Sequence, residues 1–572
     1  VGAAVIRGLE AQGVLAREAA PRDAPFPALD PGAPGRPLSP DQAAAAARLC
    51  GTVAAGGFSA TLLKGVTGSG KTEVYLEAVA ECLRAGRQAL VLLPEIALSG
   101  EFLDRVEARF GARPAEWHSG VGGAARRRAW RAVATGEARL VVGARSALFL
   151  PFAALGLVVV DEEHDGSYKQ EDGALYHARD MAVLRASIEG AAVVLASATP
   201  SLETWVNAEA GKYARIDLPE RFGAAALPRM EAIDLRADPP PQGRWISGPL
   251  EAAVTERLAA GEQALLFLNR RGYAPLTICR ACGHQVGCDA CDARMVEHRF
   301  RGRLVCHQCG ATKPVPAACP SCGAEGRMAA IGPGVERLAE EAAALWPEAR
   351  IAILSSDLAE SPAALAARIE AIAQGGADVV IGTQIVSKGH NFPKLTLVGA
   401  IDADLGLQGG DLRAAEKTFQ LMRQVAGRAG RAEAPGRALI QTHQPEHPCI
   451  RAILSGDDEA FWRAEAAARR AAGAPPFARM AGVIVSGTDE AKTWEVARAL
   501  GRAGETLRAA GIDLWGPAAA PIARIRGRHR LRLLARAPRS APLQAALRAW
   551  LAEVKVPSSV RVAVDVDPQS FF

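Results

Sequence analysis

No stretch of about 18 apolar residues runs uninterrupted by charge, glycine or proline, so no membrane-spanning helix is expected in these 572 residues. The first 20 residues carry no basic stretch leading into an apolar block, so no secretory leader is expected. Charge of one sign is scarce too: 67 Lys and Arg against 62 Asp and Glu leave a net +5. So slight an excess does not by itself argue for nucleic acid; local patches must do that. Nothing in the composition indicates disorder, since 49% hydrophobic and 23% charged residues make an ordinary globular mixture. Disulfides are not expected. Eight of the eleven cysteines fall in four Cys-x-x-Cys pairs between Cys279 and Cys322. That is metal-ligand spacing rather than a disulfide framework, and it fits the reducing cytoplasm.

What is present is organised in blocks. Residues 1–17 read as a short amphipathic helix and turn at the end of a small unit over 1–20, and 21–37 as a flexible Pro-, Ala- and Gly-rich linker. Short apolar runs at 61–66, 89–93, 139–142, 157–160 and 193–196 alternate with helical patterns. A second series lies at 264–268, 350–354, 378–381, 395–401 and 438–441. Such runs predict parallel strands wrapped by helices. The expected class is therefore α/β, with one parallel-sheet lobe over 38–225 and another over 226–275 and 327–454. The cysteines occupy an insertion over 276–326, and a small α+β domain is predicted over 455–572.

Gly65-Val66-Thr67-Gly68-Ser69-Gly70-Lys71-Thr72 fits G-x-x-x-x-G-K-[ST] between an apolar run and a helical pattern. Gly65, Gly68 and Gly70 let backbone N–H groups wrap phosphate oxygens at a helix start. Lys71 is expected on the β- and γ-phosphates of ATP and Thr72 on Mg2+. Val158-Val159-Val160 leads into Asp161-Glu162-Glu163-His164. Asp161 would hold the metal through water, and Glu162 would orient or deprotonate the attacking water. Gln424-Val425-Ala426-Gly427-Arg428-Ala429-Gly430-Arg431 supplies cations from the other lobe. Of Arg428 and Arg431, the second is the expected arginine finger.

With these motifs on the page, the chain resembles superfamily 2 helicases, and within them the primosomal protein N′ (PriA) family of replication-restart helicases. Further stretches carry the likeness: Leu93-Pro94-Glu95-Ile96, His118-Ser119-Gly120, Gly143-Ala144-Arg145-Ser146-Ala147-Leu148-Phe149 and Ser167-Tyr168-Lys169-Gln170. So do Tyr176-His177-Ala178-Arg179-Asp180, Ser197-Ala198-Thr199-Pro200, Leu268-Asn269-Arg270-Arg271-Gly272, Gly382-Thr383-Gln384 and Lys388-Gly389-His390. The likeness runs from about residue 37 to the C-terminus, and residues 1–17 resemble the last part of the family's winged helix.

The resemblance implies two RecA-like motor lobes, 3′→5′ unwinding of DNA at stalled or abandoned forks, and help in loading the replicative helicase. Gln42 would read adenine, and Gln424 would join the ATP site. His164, Ser197 and Thr199 would couple hydrolysis to DNA grip. Arg145, Thr383 and Lys388 would contact the DNA backbone without reading sequence, as a translocating motor requires. Where the family has a Trp after the Asp-Glu motif, Gly173-Ala174-Leu175 stands here, leaving Tyr168 and Tyr176.

Four thiolates per ion suit two closed structural Zn2+ sites. Sequential pairing would join pairs only five residues apart. Nesting joins Cys288 and Cys291 to Cys306 and Cys309 across fourteen residues, close to ribbon spacing. That leaves Cys279 and Cys282 with Cys319 and Cys322, the arrangement the resemblance also implies; an iron–sulfur cluster is the alternative. The densest basic run, Arg524-Ile525-Arg526-Gly527-Arg528-His529-Arg530, suits phosphates or an acidic tail. The resemblance places DNA and the acidic tail of single-stranded DNA-binding protein there, with Arg528 and Arg530 as contacts. Expected partners are forked and single-stranded DNA, single-stranded DNA-binding protein and other primosome proteins, with no membrane and a monomeric chain. Two other readings remain: a superfamily 2 translocase acting on RNA, and a zinc-dependent DNA-binding scaffold with weak motor activity.

Overall fold

The computed structural model describes residues 3–16, 24–94, 100–221, 228–269, 276–279, 282, 284, 286–289, 295–298, 303–306, 311–326, 328–331, 334–355, 362–387, 392–407, 411–430 and 436–570. Lys388, Cys291, Cys309 and Arg431 lie outside them. Among the described residues no helix is long and apolar enough to cross a membrane.

The first lobe contributes β1 Ser59–Gly65, β2 Gln88–Leu92, β3 Ala115–Trp117, β4 Leu140–Gly143, β5 Leu155–Asp161, the two-residue pair β6 Lys169–Gln170 and β7 Tyr176–His177, β8 Ala192–Ser197 and β9 Ala214–Leu218. Seven of them form one parallel sheet in the order β3-β4-β2-β5-β8-β1-β9. The apolar runs become strands because helices cover both faces, so nearly every residue of β2, β4, β5 and β8 is buried. Two separate core clusters, one on each face, result.

The second lobe opens with β10 Arg229–Asp234 and β11 Gln263–Phe267. The Cys-rich insertion follows, with β12 Leu276–Cys279 paired to β16 Met328–Ile331 around β13 Val296–His298, β14 Arg303–Val305 and β15 Thr312–Pro314. The lobe resumes with β17 Ile351–Leu354, β18 Val379–Gly382, β19 Leu395–Ala400 and β20 Arg437–Thr442. Its parallel sheet runs β10-β20-β19-β11-β18-β17. The C-terminal portion forms an antiparallel sheet of β21 Ala478–Gly487, β22 Asp513–Ile525, β23 Arg528–Pro538 and β24 Val560–Val566, in the order β22-β23-β21-β24.

Two details differ from the sequence reading. Residues 24–37 are extended but fastened to the first lobe, not a flexible spacer. Arg109 donates to Ala33 O at 2.8 Å, Asp30 N donates to Phe110 O at 2.9 Å, and Arg128 stacks over Phe26. The basic run 524–530 is a hairpin. Arg526 and Gly527, both at positive φ, turn β22 into β23, and β22 itself reads poorly because Gly516-Pro517 and a run of alanines break its pattern.

The C-terminal portion holds both lobes. Lys169 Nζ meets Asp565 at 2.5 Å on the first lobe, and Lys417 Nζ donates to Gln569 O at 2.7 Å on the second. At the start of helix Asp458–Ala471, Glu459 accepts from Lys64, Trp205 and Arg215 of the first lobe, while Asp458 pairs with Arg423 of the second.

Candidate active site between two lobes

Strand order does the first part of the assembly. β5, β8 and β1 are parallel neighbours, so their carboxyl ends present Asp161, Ser197 and Gly65 in a row, where open α/β sheets bind ligands. Residues 65–72 turn from β1 into helix Lys71–Arg84. Gly70 at φ 76 allows that turn, and a Cβ there would strike the Gln42 amide. Gln42 is buried; its Nε2 donates to Ser69 O at 2.8 Å and its Oε1 accepts from Ser39 N at 2.9 Å. It thereby locks helix Pro40–Ala55 to the phosphate loop. Lys71 Nζ donates to Gly65 O at 2.8 Å, inside the loop that Thr72 closes.

Opposite the loop, Asp161 Oδ2 accepts from Tyr75 OH and Oδ1 from Glu162 N, both at 2.9 Å. Burial, then the charge of Glu162, push the Asp161 carboxyl up to about 6, and Lys71 opposes the shift without cancelling it. Two adjacent carboxylates left short of positive charge suit a hard cation. Glu162 sits at φ 48, a left-handed conformation of roughly 1–3 kcal/mol strain that helps aim its side chain.

His164 joins the lobes. Its Nδ1 lies 2.8 Å from Ser197 Oγ, and its Nε2 lies 2.5 Å from the Gln424 amide. With the proton on Nδ1 it donates to Ser197 and accepts from Gln424. Ser197 Oγ also accepts from Thr199 N at 3.0 Å.

Glu163, which stands in the Asp161–His164 motif without an assigned role, and Arg221, Glu416 and Gln420, which no motif marks, complete the cleft. Fully buried Glu163 accepts from Ser201 N at 2.6 Å, Ser201 Oγ and Thr204 Oγ1 at 2.9 Å, and Arg179 at 3.3 Å. It therefore ties the end of β5 to the turn after Thr199. Glu416, Gln420 and Gln424 stand four apart on helix Ala414–Ala426 and share one face. Glu416 accepts from Leu202 N at 3.0 Å, and Gln420 donates to Thr199 O at 3.3 Å and Pro200 O at 3.1 Å. That stripe of polar residues at helical spacing was the available signal. Beyond the helix, Gly427 packs on Thr67 of the phosphate loop, where a Cβ would come within 3.1 Å of Oγ1. Arg428 is buried in the same turn. Arg221 Nη2 donates to Gly427 O at 2.8 Å and Nη1 to Gly430 O at 2.5 Å.

The expected DNA contacts are scattered. Arg145 Nη1 donates to Ser167 O at 2.9 Å and Lys169 O at 2.8 Å, bracing the loop after Asp161. Thr383 is buried at the end of β18. Arg528 donates to Ser486 O at 2.8 Å and half-buried Arg530 to Ile522 O at 3.3 Å, both on the C-terminal hairpin.

In the insertion, the sulfurs of Cys279, Cys282, Cys319 and Cys322 all lie within 4.8 Å of one another. Cys279–Cys322 and Cys282–Cys319 are each 3.7 Å apart. A tetrahedron with Zn–S bonds of about 2.3 Å has edges of about 3.8 Å, so these donors fit zinc. Cys288 and Cys306 pack together with Val286, Met295 and Leu304 in a separate small core.

Three family models match: a DEAD/DEAH box helicase over 39–207, the PriA DNA helicase Cys-rich region over 288–314, and the primosomal protein N C-terminal domain over 470–569. The replication restart protein PriA of Rickettsia felis is 44% identical over 512 residues, 90% of this chain and 78% of that one. That of Bacillus subtilis is 40% identical over 93% of this chain and 66% of its own, and that of Haemophilus influenzae 38% over 90% and 70%. A nucleotide cleft closed by both lobes, a zinc-fitting insertion and relatives at this identity lead to one conclusion: the chain belongs to the PriA family of ATP-dependent DNA helicases that act in replication restart.

Proposed function

We propose that the chain unwinds DNA 3′→5′ at stalled or abandoned forks and then helps load the replicative helicase. The supporting observation is the Ser197–His164–Gln424 bridge, through which lobe closure and the state of the ATP site would become one event. Lys71 and the loop 65–72 would hold the phosphates, while Asp161 and Thr72 would hold Mg2+, whose charge offsets that on the transferred phosphoryl group. Glu162 would position or deprotonate the attacking water, and Arg428 and Arg431 would supply cations from the second lobe. Gln42 would read adenine by exchanging Ser69 O for the base. Arg145, Thr383 and Lys388 would follow the DNA backbone. The hairpin bearing Arg528 and Arg530 would take DNA phosphates or the acidic tail of single-stranded DNA-binding protein in the cytoplasm.

The experiment is unwinding and ATPase on forks with 3′- or 5′-tailed strands, single-stranded DNA and RNA. Stimulation by forked and single-stranded DNA with unwinding from 3′ tails supports the reading, and Lys71→Ala abolishes turnover. Equal stimulation by RNA, or unwinding from 5′ tails, overturns it.

A further inference from the structure

Arg221 stands just beyond β9, on the first lobe, and its neighbours are tied to the phosphate loop. Leu218 pairs with Gly65 in the sheet, and Val66 N donates to Leu218 O at 3.2 Å. The Arg221 side chain then passes over Gly68, its Cγ 3.8 Å from where a Cβ on that glycine would lie. Its guanidinium crosses to the second lobe. Besides Gly427 O and Gly430 O, Nη1 lies 3.4 Å from Ala429 O. Helix Ala414–Ala426 ends here, so these carbonyls lie past the last intrahelical bond, at the negative end of the helix dipole. A planar, permanently charged fork suits several convergent carbonyls where an ammonium would reach one. Arg221 is only 9% exposed, so water competes little for these oxygens.

The turn held in this way carries Arg428 and leads to Arg431, and Thr67 of the phosphate loop packs on its Gly427. We propose that Arg221 is a positioning residue for ATP cleavage: by gripping Gly427, Ala429 and Gly430, it fixes the turn that presents Arg428 to the phosphates and from which the chain runs on to Arg431. This rests on reading those two arginines as the cations that meet the γ-phosphate. Arg221 acts through the turn, while Lys71 and the loop 65–72 keep their own contacts within the first lobe. Loss of Arg221 therefore slows cleavage without weakening nucleotide capture.

The test is DNA-stimulated ATPase of the full chain carrying Arg221→Ala or Arg221→Lys, alone and in an Arg428→Ala/Arg431→Ala background. Misplacing a catalytic group by about 1 Å costs on the order of 100-fold, so Arg221→Ala is expected to lower kcat at least about tenfold. The KM for ATP should stay within about threefold. Arg221→Lys, keeping the cation but not the fork, should recover part of the loss, and it carries the test if the alanine variant unfolds. In the double-arginine background the same substitutions should cost less than about twofold, because the groups they position are gone. An unchanged kcat, a loss confined to KM, or an undiminished loss in that background overturns the proposal. If removing Arg428 and Arg431 leaves kcat intact, the reading of those arginines fails instead, and the proposal with it.

Discussion

Replacing His164 by Ala removes the group that touches both Ser197 on the first lobe and Gln424 on the second. Both hydrogen bonds are largely shielded from water, and each contributes about 1 kcal/mol net. The bridge as a whole is then worth about 2 kcal/mol, or roughly 30-fold in the coupling between DNA binding and ATP turnover. Lys71, Tyr75 and Asp161 keep their contacts, so the KM for ATP should change little, and loss of the 3.7 Å His164–Glu162 contact lowers basal and stimulated turnover alike and cancels in their ratio. Steady-state ATPase with and without single-stranded DNA reads the effect directly, as a fall of about 30-fold in stimulation. Gln424→Ala should do the same. The double substitution should be no worse than the more damaging single one, because both cut the same bridge. A stimulation ratio within twofold of the parent in His164→Ala, or losses that multiply, would refute the coupling role.

Zinc analysis of the purified chain should find two equivalents, falling to one in Cys282→Ser; a single equivalent in the parent would leave Cys288, Cys291, Cys306 and Cys309 without a metal role. Cys288→Ser should keep DNA-dependent ATPase while losing strand separation, and retention of both would dismiss the insertion from unwinding. Burial, reinforced by the charge of Arg179, pulls His177 down to about 3. Between the unfolded value of about 6.5 and that folded value, the unfolded chain binds a proton the folded one refuses, so stability is lost as pH falls, by up to about 1.4 kcal/mol per unit. Denaturant midpoints from pH 7 to 5 should show this slope and His177→Gln should flatten it; an unchanged slope rejects the assignment. Glu459→Ala should destabilise the closed lobes by about 1–2 kcal/mol after allowing for its partial exposure, seen as faster proteolysis between them; unaltered cleavage would count against the clamp.

The strands of both motor lobes were largely legible, because strands buried on both faces must be continuous apolar runs. β3, with three residues, and β9, whose pattern is half exposed, carry too little such signal. The phosphate loop, Asp161 and Gln424 were legible for a different reason: their chemistry requires fixed residue types at fixed spacing. Glu416 and Gln420 act through backbone groups of the turn after Thr199, and a partner that is a carbonyl or an N–H leaves no mark on sequence beyond the polar stripe on their own helix. Arg221 is hidden likewise, since its three acceptors among the described residues are main-chain oxygens. The outer cysteines could be paired on paper because ligand spacing survives a long intervening loop.

The last strand and the residues after it grip one motor half through Asp565 and the other through Gln569, four positions apart. An ion pair or hydrogen bond tolerates little stretching, so parting the two halves must break one of these contacts or drag the segment along, as it must at Asp458 and Glu459. A cut just ahead of Asp565 would release both of these tethers at once and leave Asp458 and Glu459 to carry the load between the halves.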